Sequence, residues 1–123
     1  MQETTTFRID EEIIRLIKPE SLQATLYHQI SKNTDKVQEM IARYYFQSRG
    51  RVFDLRIPEK EFSVNATGDG LFTAYYQIGV FNSCADIDLN YEEKMRVILN
   101  FNAESGITML NGEEIPEREP DEI

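Results

Sequence analysis

From Glu61 to Phe81 the chain reads EFSVNATGDGLFTAYYQIGVF, two runs of alternating character around Gly68-Asp69-Gly70. In the second run Phe72, Ala74, Tyr76, Ile78 and Val80 fall on one face, and Leu71, Thr73, Tyr75, Gln77 and Gly79 on the other. Successive side chains of a strand point to opposite faces, and β-branched and aromatic residues suit that pleated surface. The stretch therefore predicts a hairpin with one apolar core face. Phe62, Val64 and Ala66 extend that face into the first run, and glycines able to take positive φ place the turn at residues 68–70.

Upstream the period changes. Thr4 to Ile9 is polar and β-branched, which suits an extended lead-in or an edge strand. Asp10 is a good N-cap for a short helix through Ile17 with Ile13, Ile14, Leu16 and Ile17 inward, and Pro19 ends that helix or opens the next. Leu22, Leu26 and Ile30 then recur at helical spacing, as do Val37, Met40, Ile41, Tyr44 and Tyr45 after a polar gap. Asn33 and Thr34 in that gap are capping residues, so two helices are expected, the second running to Gln47–Arg49 before Gly50.

Three further signals follow. Phe53, Leu55 and Ile57 alternate with Val52, Asp54 and Arg56 until Pro58, which predicts a strand. Asn82 to Glu93 is mostly polar and reads as turn, after which Val97, Leu99 and Phe101 alternate with Arg96, Ile98 and Asn100. Asn111-Gly112 between extended residues is a strong short-range signal for a type I′ hairpin. Helices first, then about five or six strands joined by connections too short for parallel crossovers, imply an α+β fold with the N-terminal helices packed on one face of a mostly antiparallel sheet. Leu71, Tyr75 and Ile98 on its outer face leave room for a homodimer contact there, or for cover by the N-terminal helix.

Composition bounds this picture. At 123 residues with 41% hydrophobic, the chain suits one domain over 1–116, followed by an acidic tail at 117–123 (Glu-Arg-Glu-Pro-Asp-Glu-Ile) expected to be disordered. No apolar run approaches the roughly 18 residues of a membrane span, MQETTTFRID lacks the regions of a signal peptide, and Cys84 is the one cysteine. A cytoplasmic protein is the expectation.

The net charge of −9 is unevenly placed. Residues 1–58 carry nine Lys or Arg against eight Asp or Glu, whereas residues 59–123 carry four against fourteen. That balance disfavours a phosphate-neutralising surface and favours solubility, basic protein partners or metal ions, the plain alternative being a solvated acidic face with an acidic tail. Arg43, Arg49, Arg51 and Arg56 interleave with Tyr44, Tyr45, Phe46 and Phe53 as in some RNA-binding sheets, but an Arg-rich protein-docking patch or plain surface suits the acidic chain better.

Candidate chemistry is sparse. His28 is the one histidine, so no histidine metal cluster exists, and nothing around Cys84 marks an activated thiol for it to serve. Asp86-Ile87-Asp88-Leu89-Asn90 opens like a calcium loop, but Tyr91 stands where the turn glycine belongs and Val97 where the bidentate Glu belongs. Gly68-Asp69-Gly70 is too short for a phosphate cradle and precedes a strand. The sequence calls for no metal or cofactor and carries no catalytic signature.

Two function classes follow. The first is a small acidic interaction module, such as an inhibitor, an immunity-type protein or an adaptor, binding a basic partner surface through Asp86, Asp88, Glu92 and Glu93. The alternative is a small-molecule or enzymatic pocket between helices and sheet, with His28, Tyr44, Tyr45, Tyr75 and Tyr76 as its candidate lining.

Overall fold

The computed structural model describes residues 2–46, 50–82 and 87–115, of which residues 81–82 and 87–89 are described by their backbone alone. Cys84, Asp86 and Arg49 lie outside the described residues, as does the tail at 117–123. The elements in order are β1 (Thr4–Arg8), α1 (Glu11–Leu16), α2 (Leu22–Lys32), α3 (Thr34–Tyr44), β2 (Arg51–Arg56), β3 (Phe62–Val64), β4 (Asp69–Asn82), β5 (Ile87–Phe101) and β6 (Ile107–Asn111), with short 3-10 turns at Pro19–Ser21 and Glu59–Glu61. All strand pairs are antiparallel, in the order β1-β6-β5-β4-β2, and β3 also pairs with β4. The sheet is curled and the helices pack against it, an α+β fold as the residue pattern requires.

The centre is the β4–β5 ladder. It runs from Asp69↔Asn100 to Asn82↔Ile87 with no shift of register. Phe72, Ala74, Tyr76 and Ile78 are fully buried on the helix side, together with Val97 and Leu99 of β5 and Leu110 of β6. Leu26, Ile30, Val37, Met40 and Ile41 close the core from α2 and α3, which places both helical stripes on the apolar sheet face. Leu71 and Ile98 point the other way and are 42% and 50% exposed, so the helices leave the outer face open at these positions.

Asp10 caps α1 by accepting from the Glu12 N–H at 3.4 Å, and Pro19 opens the following 3-10 turn, where its missing N–H costs no bond. Leu16 departs from the expected inward set and is 78% exposed, while Ile13, Ile14 and Ile17 pack against the core. The break between α2 and α3 falls at Asn33. Its side chain does not cap α3. Its Nδ2 instead donates back to the Gln29 carbonyl at 2.8 Å, satisfying the end of α2.

Elsewhere tertiary contacts overrule local signals. The β3–β4 turn lies at Asn65–Gly68, with Gly68 at φ 93, so Asp69 and Gly70 already belong to β4. Asn65 Oδ1 accepts from the backbone N–H groups of Thr67 and Asp69, which holds this turn ahead of the glycine pair. In β2, a bulge between Phe53 and Arg56, with Asp54 at φ 58, breaks the alternation, so Val52 is buried before it and Leu55 packs on the core after it. α3 stops at Tyr44, short of the expected 47–49.

The polar stretch before Glu93 is not all turn. Residues 87–93 are strand, paired along β4. Asn111-Gly112 is likewise no hairpin: β6 ends at Asn111, and the Gly112 N–H donates to the Glu3 carbonyl at 2.9 Å. A Cβ on Gly112 would meet the Tyr44 hydroxyl and lie 3.1 Å from Met95 Sδ, so close packing of Tyr44 is what requires glycine here.

Thr108 Oγ1 is buried on the core face with no hydrogen-bond partner among the described residues. Burying a hydroxyl without a partner is unfavourable, and valine has nearly the same shape. Thr108→Val is expected to raise unfolding stability by about 1 kcal/mol, read from urea midpoints. A loss of stability would show that the hydroxyl has a partner.

Candidate functional site

Tyr75 and Tyr76 lie on opposite faces of β4 because neighbouring strand residues must. Tyr76 is fully buried toward the helices, whereas the Tyr75 hydroxyl donates to Glu61 Oε1 at 2.8 Å on the outer face. His28 is exposed on α2, off the Leu22, Leu26 and Ile30 stripe. These five candidates therefore do not line one pocket.

Each of the other two tyrosines has a structural task. The Tyr44 hydroxyl accepts from the Glu3 N–H at 2.9 Å and donates to the Glu113 carbonyl at 2.8 Å, joining the segment before β1 to the segment after β6. Tyr45 and Tyr76 share a hydroxyl–hydroxyl hydrogen bond of 2.8 Å, with their rings edge to face at 6.0 Å. Tyr27 donates to the Ile57 carbonyl at 2.6 Å and ties α2 to the chain beyond the β2 bulge.

An apolar cleft of about 210 Å³ does open between helices and sheet at another place, where Ile14, Ile17 and Leu22 approach Ala66 and Phe101. No titratable side chain lines it. Among the described residues no group of His, Cys, Asp or Glu is arranged to hold a metal ion. Residues 87–90 are strand, so the calcium-loop reading of the stretch from Asp86 has no loop to stand on.

The proposed acidic contact set also divides. Asp88 pairs by its backbone with Phe81, and Glu92 and Glu93 take opposite faces of β5. Glu92 is ion-paired with Arg56 on the outer face. Glu93 stands opposite Tyr76 in the ladder, on the helix side, and is exposed. The arginine-rich stretch is split as well: Arg43 meets Glu3 at the β1 edge, while Arg51 and Arg56 sit on β2 at the opposite edge.

What does gather on the helix side of β5 is a different acidic set. β6 pairs with β5 only over Ile98 to Phe101, and the chain after it turns so that Glu113 Oε1 accepts the Arg96 N–H at 3.3 Å. This brings Glu113 near the tyrosines that Glu93 also approaches. Burial is the main cause of the raised Tyr76 pKa, followed by its bond to Tyr45, and the charges of Glu93 and Glu113 add to it. Tyr45 is raised chiefly by burial, against the lowering effect of that bond, and it feels Glu93, Tyr91 and Glu113. Tyr44 is raised chiefly by burial, against the lowering effect of the Glu3 backbone bond, and the charges of Glu3, Glu113 and Glu114 add to the rise.

Beside this acidic set, on the same face of β5 as Glu93, Tyr91 is 46% exposed. Neither Glu93 nor Glu113 has an ion pair among the described residues. The surface can offer carboxylates to cationic groups and an aromatic ring to apolar or cationic ones. Sequence reading did not place Glu113 or Tyr91 at a binding surface. The signal for Tyr91 was its odd-numbered phase with Met95, Val97 and Leu99, hidden by the polar character of Asn82 to Glu93.

Comparison of the chain with protein-family models, curated proteins and solved structures finds no match. No helix of the described residues is long and apolar enough to cross a membrane.

The raised Tyr76 pKa fixes a direction for alkaline stability. An ordinary tyrosine loses its proton near pH 10.0, while the folded Tyr76 holds it to higher pH, so above about pH 10 the unfolded state binds fewer protons and stability falls. Below that pH the contribution is fully present. Tyr76→Phe is expected to be less stable at neutral pH by about 1 kcal/mol, yet to lose less stability than the parent between about pH 9 and 11 in urea titrations. Equal losses would contradict this.

Proposed function

We propose that the protein is a binding module for a basic protein segment, in the manner of an inhibitor, immunity-type or adaptor protein, and that it uses the helix-side surface of β5. The observation that carries this reading is the convergence of exposed Glu93 and Glu113 on the same tyrosine hydroxyls, beside exposed Tyr91. Exposed carboxylates with no ion pair among the described residues stay hydrated and ready to pair, and an aromatic ring next to them gives an arginine or lysine side chain a surface for its apolar stem. The acidic balance of residues 59–123 adds long-range attraction for a basic partner. The pocket alternative has less behind it, since its proposed tyrosines are split between two faces or engaged in structural hydrogen bonds.

The test is a titration of the labelled full chain with a lysine- and arginine-rich peptide carrying one aromatic residue, followed by amide chemical shifts. Shifts are expected at Tyr91, Glu93 and Glu113, with affinity falling as salt rises. Glu93→Gln with Glu113→Gln is expected to weaken binding about tenfold. Shifts confined to the outer face, or affinity indifferent to the double neutralisation, would overturn the reading.

A further inference from the structure

We infer that two copies of this chain associate through the free edge of β5, pairing antiparallel about a two-fold axis at Tyr91 and joining their sheets into one. The inference does not rest on the binding reading above.

The edge follows from the hydrogen-bond directions along β5. The Arg96 N–H turns away from β4 toward Glu113, and the Asn102 N–H likewise turns toward β6 to meet the Ile107 carbonyl. The Phe101 N–H instead turns toward the β4 side, to the Gly68 carbonyl. Peptide groups alternate along a strand, and the β4–β5 register has no shift, so this parity extends back through β5. The peptide groups of Asn90, Glu92 and Lys94 therefore face away from β4, and β6 does not reach them because its pairing starts at Ile98. Among the described residues no strand pairs with this row, and such a row is a template for another strand.

Charge decides what pairs there and in which register. Peptide groups on the free edge belong to even-numbered residues, so a two-fold pairing must set even positions opposite even positions. Within the open stretch of residues 90–94 every residue is such a centre. Centring on Asn90 sets Glu92 against position 88, an aspartate, and centring on Glu92, Glu93 or Lys94 sets that residue against its own copy; like charges directly opposite are unfavourable. Centring on Tyr91 removes these conflicts. It sets Glu92 against Asn90, position 94, a lysine, against position 88, an aspartate, and Tyr91 against Tyr91. That register also ends at position 94, before the Arg96 N–H that Glu113 already occupies. The strand is self-complementary in this one register, so the partner it fits is a second copy.

The experiment is sedimentation of the full chain over rising concentration up to about 1 mM, where even weak pairing registers. A concentration-dependent dimer is expected. Glu92→Pro removes an N–H that β4 does not use and puts a ring on the edge, so it is expected to abolish the dimer with the circular dichroism spectrum retained. Lys94→Glu sets acid against acid twice across the axis and is expected to weaken the dimer about tenfold or more, whether or not the proline variant folds. In a Cys84→Ser background, Tyr91→Cys is expected to form an intermolecular disulfide on mild oxidation and Ile98→Cys to form none. A monomer at every concentration, a dimer unaffected by Lys94→Glu, or preferential crosslinking at position 98 would each overturn the inference.

Discussion

Everything in this molecule is referred to the unbroken β4–β5 ladder. Because its register never shifts between Asp69↔Asn100 and Asn82↔Ile87, one choice of phase fixes which residues of two long strands face the helices and which face away. It buries Tyr76 and exposes Tyr75, and it sends Glu93 to the helix side and Glu92 to the outer side. It also decides which peptide groups of β5 point at β4 and which point away from it. The helices are attached to that decision: α2 and α3 cover the face that carries Phe72, Ala74, Tyr76 and Ile78.

The candidate surface exists because the neighbours of this ladder are shorter than the ladder itself. β6 spans only Ile107–Asn111 and pairs with one end of β5. Among the described residues the other end of β5 thus keeps an open edge, and it carries exposed side chains on both faces. Tyr44 closes the boundary between the covered and uncovered parts by bonding to Glu3 and Glu113 at once. The result is a carboxylate pair from two segments distant in sequence, placed near the hydrogen-bonded Tyr45–Tyr76 pair.

Much of the fold was legible in the residue pattern, because period two and period 3.6 report burial directly. The helical stripes at Leu22, Leu26 and Ile30 and at Val37, Met40 and Ile41 proved buried, as did Phe72, Ala74, Tyr76 and Ile78 of β4, while Val80 is partly buried. What escaped depended on tertiary partners. Nothing local in Asn111-Gly112 says that its glycine makes room for Tyr44, and nothing in Val52 to Arg56 announces the bulge that lets both Val52 and Leu55 approach the core. The mostly polar residues from Ile87 to Glu93 hid a strand because this end of β5, exposed on both faces over residues 90–94, needs few apolar side chains. The candidate site escaped for a related reason. Glu92 and Glu93 look like one acidic patch in sequence but face opposite ways, and Glu93 finds its neighbour in Glu113 only after β6 has folded back.

The most direct measurement is amide hydrogen exchange along β5 in dilute, monomeric protein, residue by residue. If the ladder and its open edge are as described, the N–H groups of Tyr91, Glu93 and Met95 exchange slowly because β4 accepts them, and those of Asn90, Glu92 and Lys94 exchange fast. Fast exchange at all six would mean that the ribbon does not form there. Slow exchange at all six would mean that another part of the chain covers the edge, and either result would contradict the account.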